Sequence, residues 1–554
     1  MNPETLASAI LAVLAPIAEA RRPGEPLGVT AADVVLERPR NRDHGDWASN
    51  IAMRLAKPLG TNPRELAQEI ADGLVRVDGV ASAEVAGPGF LNIRLDAAAA
   101  GALAKVIVDA GPAYGTNSSQ EGVSVNVEFV SANPTGPLHI AHTRWAALGD
   151  AIVRLLLASG AHGVREYYIN DAGVQMDRFA GSVLAAAKGE PTPEGGYPGE
   201  YITTLAGRVL EARPDLLDLP EAEQLDVARE LAYEYQLAEI THSLDRFNVP
   251  FDVWFSERTL HAKDASGLSL IDRAVDRLRE QGHVFDQDGA VWVRTTDFGD
   301  DKDRVIRRSN GEYTYFAADA AYYLDKGDRG FRDKIYLLGA DHHGYVHRLK
   351  AVAGAAGEDP EKNVEVLIGQ MVSINGARLS KRTGNIIEMD DLLDWLGTDA
   401  LRYSLERSPA DSPLDLDPEL LQKRTNDNPV FYVQYAHART HNVARNAADS
   451  GVDRSEFAPE TLTHESEAAL LGALQEFPHI VAIATQVREP HRVARYLEEL
   501  AGLYHRWYDN CRVIPLSDDP VESVHRTRLW LNDAAGQVFR NGLGLLGVSA
   551  PERM

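Results

Sequence analysis

Apolar and polar positions in the first part of the chain follow two periods. A period near 3.6 residues predicts a helix over residues 3–20 and a second, capped helix after Thr61-Asn62-Pro63. A period of two predicts a strand over residues 90–95. We therefore expect residues 1–115 to form a small α/β domain. Residues 111–120, dense in Gly, Asn and Ser, are its predicted linker.

Strand patterns followed by helix patterns recur from about residue 121 to residue 408. Residues 123–130 lead into a helix near Pro137, and residues 335–338 lead into a helix after Asp341. This alternation predicts a parallel, doubly wound sheet. A helical stretch at about 185–265 interrupts it, and we interpret this stretch as an insertion between the two halves of the sheet.

From about residue 412 to residue 554 the pattern is helical. One set of apolar positions follows the spacing i, i+3, i+4, i+7 of a buried helix face: Val493, Tyr496, Leu497, Leu500, Leu503, Tyr504 and Trp507. The chain is therefore expected to be a multidomain α/β protein. Its parts are a small N-terminal α/β domain, a central doubly wound parallel sheet and a C-terminal all-α helical bundle.

Composition says more about the cellular compartment of the protein than about its binding partners. The 554 residues suit several domains, and with 44% apolar and 25% charged residues they are typical of a globular protein. The N-terminus lacks a signal peptide, and no apolar run approaches the roughly 20 residues needed to span a bilayer. A single cysteine, Cys511, excludes an internal disulfide, so we expect a cytoplasmic protein. The net charge of −26 leaves nucleic acid open as a partner, because an acidic protein can still carry a local basic groove.

The most informative stretch is residues 128–142, Glu-Phe-Val-Ser-Ala-Asn-Pro-Thr-Gly-Pro-Leu-His-Ile-Ala-His. A strand ends near Val130, prolines and a glycine shape a turn, and a helix is expected to start near Pro137. A helix N-terminus at the edge of an open sheet suits a triphosphate. His139 and His142 are three residues apart and share one face of the first turn. Two histidines at this spacing are by themselves more often a capping or core feature.

The whole stretch nevertheless resembles the first signature of class I aminoacyl-tRNA synthetases, His-Ile-Gly-His, and the preceding residues resemble the arginyl family. The resemblance implies a Rossmann-like catalytic domain. It also implies that His139 and His142 hold the phosphates of ATP during catalysis. Ala141 stands where the signature has Gly, and its methyl group is expected to alter the ATP position slightly.

A second stretch, residues 376–385, reads Gly-Ala-Arg-Leu-Ser-Lys-Arg-Thr-Gly-Asn. A basic loop is usually only solvated, but this one is similar to the second class I signature, Lys-Met-Ser-Lys-Ser, and lies downstream of the first. The similarity implies that Lys381 stabilises the transferring phosphates and that Arg378 and Ser380 lie at the nucleotide. Arg378 replaces the first lysine, which keeps the charge but not the geometry.

Residues 338–342 resemble the nucleotide-side strand end of the same family, which adds Asp341 and His342 to the expected ATP contacts. With His343 and His347, they could instead form a metal site. That alternative is less favoured, since no further carboxylate or thiolate is evident to complete it. We expect Mg²⁺ to arrive with ATP and no protein-bound metal.

A site that selects arginine needs carboxylates to neutralise the guanidinium. Glu128 ends a predicted strand, and Asp319 follows Tyr315 by four residues, one helical turn. A carboxylate picked at random would more often form a surface ion pair. Resemblance to arginyl-tRNA synthetases implies an amino-acid pocket lined by Glu128, Ser131, Asn133, His139, Tyr315 and Asp319. The two acids would read the guanidinium.

The flanking regions resemble the tRNA-binding parts of the same family. The C-terminal region is similar to its anticodon-binding domain, where aromatic and basic residues can stack on bases. The candidate contacts there are Tyr432, Tyr435, Trp507 and Met554, although most aromatics at helical spacing are core. The N-terminal domain resembles the extra domain that grips the tRNA elbow, with Arg38, Arg40 and Arg42 as candidates.

The resemblance covers essentially the whole chain and implies an arginine–tRNA ligase that uses ATP, L-arginine and tRNA(Arg), expected to be a monomer without a membrane partner. Two alternatives stay open. One is a class I synthetase for another amino acid, which Glu128 and Asp319 disfavour because they would be unpaired in a neutral pocket. The other is a non-catalytic tRNA-binding paralogue, which the intact histidines and Lys381 disfavour.

Overall fold

The computed structural model describes residues 3–37, 39, 44–339, 344–374, 387–516 and 519–554. The first part is a small α/β domain with its own apolar core. Its elements are α1 (Pro3–Arg21), β1 (Leu36–Glu37), β2 (Trp47–Ser49), α2 (Ile51–Leu55), α3 (Pro63–Leu74), β3 (Val80–Ala86) and β4 (Phe90–Leu95). The strands form an antiparallel sheet in the order β1-β2-β4-β3.

The local predictions for this domain are confirmed. The Asn62 side chain accepts the N–H of Glu65 at 2.8 Å and so caps α3, with Pro63 in its first turn. The next two helices, α4 (Ala97–Gly101) and α5 (Leu103–Ala110), lie within the predicted 1–115 domain. Their buried side chains, including Leu103 and Ile107, nevertheless belong to the core of the C-terminal helices.

The central region consists of a five-stranded sheet, a smaller antiparallel sheet and surrounding helices. Its strands are β5 (Ser124–Glu128), β6 (His162–Ile169), β7 (Val253–Ser256), β8 (Val284–Gln287), β9 (Ala290–Val293), β10 (Arg304–Arg307), β11 (Asp333–Gly339), β12 (Val364–Gly369), β13 (Val372–Ile374) and β14 (Leu414–Leu416). Its helices are α6 (Ile140–Ala158), α7 (Val174–Ala187), α8 (Glu200–Ala212), α9 (Glu221–Arg246), α10 (Arg258–His261), α11 (Leu270–Glu280), α12 (Tyr315–Asp328), α13 (Val346–Ala355), α14 (Pro360–Asn363), α15 (Met389–Leu396), α16 (Thr398–Glu406) and α17 (Pro418–Leu421).

The five-stranded sheet is entirely parallel, in the order β12-β11-β5-β6-β7. The chain runs from β5 outward to β6 and β7, and later returns to place β11 and β12 on the other side of β5. The strand order therefore changes direction between β5 and β11. Ligands of doubly wound sheets bind at the carboxyl edge of such a point. This confirms the predicted Rossmann-like sheet and places Glu128, the last residue of β5, at that carboxyl edge.

Between β6 and β7, helices α7, α8 and α9 bury a small apolar core of their own. The stretch predicted as a helical insertion, about 185–265, is helical as far as Arg246. It then contains β7, which pairs with β6 so that Ser256 lies opposite Ile169. The end of the predicted insertion is thus corrected, because residues after about 252 are part of the main sheet.

The C-terminal region consists of four long helices, α18 (Pro429–Asp449), α19 (Glu465–Gln486), α20 (His491–Asn510) and α21 (Ser523–Leu545). The predicted helix face is confirmed, since Val493, Leu497, Leu500 and Tyr504 are fully buried. By length and composition α19 could cross a membrane, with a mean hydropathy of 1.3. The sequence had indicated no such run. Within the described chain α19 packs against α20 and its neighbours, as the core helix of a bundle does.

Candidate active site at the sheet edge

The turn that follows β5 has an unusual backbone. Val130 and Ser131 have φ angles of 67° and 39°, in the left-handed region that a β-branched valine rarely adopts. The Ser131 hydroxyl accepts the N–H of Tyr168 at 3.1 Å and donates to Oε1 of Glu128 at 3.3 Å. Strained backbone held in this way is typical of functional sites.

The two histidines lie together at the start of α6. The helix begins at Ile140 rather than near Pro137, because His139 is its N-cap residue. The His139 N–H donates to Nδ1 of His142 at 3.3 Å, and the two rings stack with centroids 3.8 Å apart. The predicted pairing on one face is therefore observed, and Ala141 lies exposed in the same turn. Imidazoles at a helix N-terminus, where the helix dipole is positive, make an edge suited to phosphates.

Glu128 reaches this edge from the end of β5 and has a buried cation beside it. Nζ of Lys326 lies 2.5 Å from Oε2 of Glu128, and the Lys326 side chain is fully buried. Sequence reasoning missed Lys326. The spacing could have revealed it, since Tyr315, Asp319, Tyr322 and Lys326 follow i, i+4, i+7, i+11 along one face of α12.

Asp319 is the second predicted acid, and its environment disfavours its charge. Burial raises the pKa of its carboxyl to about 6. A hydrogen bond from Tyr345 and the charge of Arg348 oppose that rise, and the charge of Glu128 adds to it. Glu128 and Asp319 are therefore close enough to interact electrostatically. A cation bound beside them would stabilise the ionised form of Asp319.

Two further residues of the predicted pocket are Tyr315 and Asn133. Tyr315, the first residue of α12, is 80% exposed. The Nδ2 group of Asn133 donates to Oε1 of Gln175 at 3.1 Å. This contact connects the turn after β5 with the start of α7. Both side chains are accessible to a ligand at the edge.

A third acid, Glu257, follows β7 and was not predicted. It is buried, and burial raises the pKa of its carboxyl to about 7, although a hydrogen bond from Tyr168 opposes the rise. The charges of Asp171 and Asp319 raise it further. Asp171 itself accepts the hydroxyls of Tyr233 and Ser256, at 3.0 and 2.6 Å. No sequence pattern indicated Glu257, because strand order alone brings it near the pocket.

Several predicted contacts fall on residues outside the described part of the chain. These are Asp341, His342, Arg378, Ser380 and Lys381 at the nucleotide and Arg38, Arg40 and Arg42 in the N-terminal domain. Of the alternative metal site only His347 is described, as an exposed residue. Among the described residues, no group of three or more His, Cys, Asp or Glu is placed to hold a metal ion.

An aromatic and basic surface lies on α18 and α20. The Arg439 guanidinium is 4.8 Å from the ring centroid of Tyr435 and 4.7 Å from that of Tyr508. Tyr432 and Tyr435 are half-buried, and Met554 at the C-terminus is 55% exposed. Trp507 is corrected as a candidate RNA contact, because its side chain is 0% exposed and an enclosed ring cannot stack on a base.

Three family models match successive parts of the chain. The model described as the arginyl tRNA synthetase N terminal domain matches residues 4–95. The model of the class I (R) tRNA synthetase catalytic domain matches residues 221–442. The DALR anticodon binding domain matches residues 433–554.

Individual proteins match over the full length. The arginine–tRNA ligase of Renibacterium salmoninarum is 64% identical, and that of Pseudarthrobacter chlorophenolicus 62% identical, with all of both chains covered in each case. The solved structure of Thermus thermophilus arginyl-tRNA synthetase superposes with a TM-score of 0.71 over all of both chains. Because the two sequences are only 23% identical, this structural similarity shows a shared fold and nothing more.

Proposed function

The chain belongs to the arginyl-tRNA synthetase family, and from this we propose how its residues divide the work of an arginine–tRNA ligase. The enzyme activates L-arginine with ATP and transfers the arginyl group to tRNA(Arg). Glu128 and Asp319 receive the guanidinium, while Ser131, Asn133, His139 and Tyr315 line the rest of the amino-acid pocket. The observation on which this division rests is the acid pair at the sheet edge, where burial raises the pKa of Asp319 to about 6. A guanidinium would supply the missing positive charge.

In the first step an oxygen of the arginine carboxylate attacks the α-phosphorus of ATP. The bond from that phosphorus to the bridging oxygen breaks, and pyrophosphate leaves with the electron pair. His139, His142 and Lys381 stabilise the charge that develops on the phosphates, and no protein nucleophile is required. Arg378, Ser380, Asp341, His342 and the turn at Ala141 complete the nucleotide side.

In the second step a ribose hydroxyl of the terminal adenosine of tRNA attacks the arginyl carbonyl carbon. The new ester bond forms as the bond from that carbon to the phosphate oxygen of AMP breaks, and AMP leaves with the electron pair and takes up the hydroxyl proton. The proposed tRNA contacts are Tyr432 and Tyr435 on α18, Met554 beyond the end of α21, and Arg38, Arg40 and Arg42 in the N-terminal domain. Residues 1–115 would then bind the elbow, 121–408 catalyse and 412–554 bind the anticodon.

The finer expectations complete the proposal. Mg²⁺ enters with ATP as part of the substrate, and the enzyme acts as a cytoplasmic monomer without a membrane partner. The single cysteine supports a reducing compartment. Light scattering of the purified protein tests the monomer, since a mass near twice 60.5 kDa would contradict it.

The activity is tested by tRNA-dependent exchange of pyrophosphate into ATP, run with each amino acid in turn. Arginine alone should support exchange. Exchange driven by lysine, glutamate or cysteine would contradict the assignment of the pocket. Failure of every amino acid would instead favour a tRNA-binding protein without catalysis.

A further inference from the structure

The segment that follows β6, residues 170–175, reads Asn-Asp-Ala-Gly-Val-Gln and has no part in the reaction steps proposed above. It leaves the sheet beside the turn that follows β5, because β5 and β6 are parallel neighbours whose carboxyl ends lie at the same edge. One side-chain amide from each segment meets the other there, since Nδ2 of Asn133 donates to Oε1 of Gln175 at 3.1 Å. This hydrogen bond ties a predicted pocket residue to a residue that the proposed mechanism does not use.

The backbone on the Asn133 side is held by β6. The hydroxyl of Tyr167, a fully buried residue, donates to the carbonyl of Ala132 at 2.9 Å. The N–H of Tyr168 donates to Oγ of Ser131 at 3.1 Å. Asn133 therefore projects from a turn that cannot shift without breaking these two bonds.

The backbone on the Gln175 side is held by Asp171, whose side chain is 1% exposed. Oδ2 of Asp171 accepts the hydroxyls of Tyr233 on α9 and Ser256 on β7, at 3.0 and 2.6 Å. The carbonyl of Asp171 accepts Nε of Arg258 at 3.0 Å. The segment between β6 and α7 is thus held in place by neighbouring elements.

The carbonyl group of Asn170 decides which way the Gln175 amide faces. Nε2 of Gln175 donates to that carbonyl oxygen at 3.4 Å, and a carbonyl oxygen can only accept. Oε1 of Gln175 must then face Asn133, which can meet it only with Nδ2. The hydrogen bonds therefore run in one direction, from Asn133 through Gln175 to Asn170. Asn133 is exposed, and among the described residues no group donates to its Oδ1, the atom that is left for a ligand.

We propose that Gln175 is a positioning residue that turns Oδ1 of Asn133 toward the substrate, so that Asn133 accepts a hydrogen bond from the α-ammonium group of arginine. This inference rests on the proposed function, which places Asn133 in the amino-acid pocket. With the opposite orientation, Nδ2 would donate to the α-carboxylate, the group that has to attack the α-phosphorus. Gln175 thus keeps the Asn133 amide off the reacting carboxylate.

The test uses a pair of arginine analogues that each lack one of these groups. Agmatine keeps the amine and lacks the carboxylate, while δ-guanidinovalerate keeps the carboxylate and lacks the amine. Dissociation constants are measured by calorimetry without ATP, so that no ligand is turned over. For Gln175→Met, the constants for arginine and agmatine should each rise about fivefold, because a freed amide must be reoriented before it can accept from the ammonium group. The constant for δ-guanidinovalerate should stay within about twofold of the wild-type value or fall, because a freed amide can also turn to donate to the carboxylate.

A double-mutant cycle measures whether Gln175 acts through Asn133. Asn133→Ala alone should raise the constants for arginine and agmatine about tenfold, the usual cost of one hydrogen bond to a charged group. Adding Gln175→Met to Asn133→Ala should then change them by less than about twofold. In tRNA-dependent pyrophosphate exchange, Gln175→Met should raise the KM for arginine and leave kcat within about twofold, since the contact is the same before and during the reaction.

Gln281→Met is the matched control. Gln281 follows α11, and its Nε2 also donates to a backbone carbonyl, that of Ala356, at 3.3 Å. Ala356 follows α13, the helix by which the chain passes from the carboxyl end of β11 toward the amino end of β12, so this contact lies at the opposite edge of the sheet. Gln281→Met should leave the constants for arginine and both analogues unchanged.

Equal weakening of all the ligands by Gln175→Met would overturn the inference, because a disordered pocket loses arginine and both analogues alike. An effect of Gln175→Met that persists in full beside Asn133→Ala would overturn it as well. Both results leave the proposed function intact. If Asn133→Ala does not change the arginine constant, or the wild type does not bind arginine, the pocket assigned under the proposed function is wrong and this inference fails with it.

Discussion

At the scale of single residues, Asp319 shows a conflict between binding and stability. The folded protein binds the Asp319 proton more tightly than the unfolded chain does, because burial raises the pKa from 3.8 to about 6. The contribution of this group to stability therefore falls as the pH rises from about 4 to about 6, and the cost is fully present above that range. Ionised Asp319 therefore destabilises the folded protein as long as no cation is bound beside it.

Asp319→Asn is accordingly expected to stabilise the free enzyme while it removes arginine activation. At pH 7.5 the gain should be about 1–2 kcal/mol, seen as a thermal midpoint higher by about 1–3 °C, and it should vanish near pH 4. Pyrophosphate exchange with arginine should fall by at least about 100-fold, as loss of a buried charged contact implies. Differential scanning fluorimetry and the exchange assay measure the two effects.

Asp328→Asn, on the same helix, is the control for that substitution. Asp328 is exposed and pairs with Arg277 at 2.9 Å. Its loss should change both the midpoint and the exchange rate little. A lower midpoint for Asp319→Asn than for the wild type would contradict this prediction, because it would show that the hydrogen bond from Tyr345 and the charge of Arg348 outweigh the cost of burial.

At the scale of elements, the amino end of α6 presents the two histidines as one unit. The stacked rings and the hydrogen bond from the His139 N–H to His142 mean that each ring fixes the position of the other. They lie beside N–H groups that carry the positive end of the helix dipole. In the proposed mechanism this unit stabilises the negative charge that develops on the phosphates, and His139 also lines the amino-acid pocket.

His142→Ala should therefore lower the kcat of pyrophosphate exchange by about 100-fold, the usual cost of one transition-state contact. The KM for arginine should stay within about threefold. His162→Ala is the control, because His162 opens β6 at the amino edge of the sheet and stacks on Phe331 with centroids 6.2 Å apart. A rise in the arginine KM with unchanged kcat would place His142 at the amino acid instead.

The C-terminal helices separate aromatics that face solvent from those that do not. Arg439→Gln removes the guanidinium between Tyr435 and Tyr508, and the KM for tRNA should rise about tenfold, with a shallower salt dependence. The control for the loss of charge is Arg213→Gln, which removes an exposed pair with Asp215. Equal tRNA binding by Arg439→Gln and wild type would contradict the assignment of this surface to tRNA binding.

Trp507→Ala should instead cost about 3–5 kcal/mol of stability, because it truncates a side chain of the helical core.

Sequence patterns predicted what lies within one element or one turn. The strand, turn and helix around the histidines were predicted, as was the shared face of Tyr315 and Asp319 on α12. The pairing of Lys326 with Glu128 and the position of Glu257 depend on strand order, which no local period encodes. The left-handed φ angles of Val130 and Ser131 could not be predicted either, because a valine rarely adopts this region of the backbone. Such a conformation persists only where surrounding contacts hold it, and these contacts are seen only in the structure.

At the scale of the whole molecule, a buried group of charges joins the catalytic helix to the end of the chain. Asp150 of α6 and Arg402 of α16 are both fully buried, with 2.7 Å between Oδ2 and Nη2. Arg402 also donates to the carbonyls of Leu546, beyond α21, and Asn248, beyond α9, at 2.9 and 3.0 Å. One guanidinium therefore connects the histidine helix, the inserted helices and the C-terminal helices.

Gly547 lies against the guanidinium of Arg402 in this buried group of charges. Gly547 has a φ of +63°, and a Cβ there would lie 2.4 Å from Nη2 of Arg402. The space beside the guanidinium is thus available only to a residue without a side chain. A side chain at position 547 would therefore displace the Arg402 guanidinium without removing its charge.

Arg402→Met is expected to cost about 3–5 kcal/mol, because it leaves Asp150 and Glu406 buried with one cation fewer. Gly547→Ala should lower stability in the same direction by displacing the same guanidinium. Arg407→Met is the matched control, since the neighbouring Arg407 pairs with Glu498 of α20 at 2.6 Å on the surface, and it should cost at most about 1 kcal/mol. Urea unfolding followed by tryptophan fluorescence measures all three.

The same unfolding curves test whether the buried charges around Arg402 couple the domains. If they do, Arg402→Met and Gly547→Ala should each split a shared transition into separate ones, because the helical bundle then unfolds independently of the catalytic sheet. A single transition that merely shifts would restrict Arg402 to local packing.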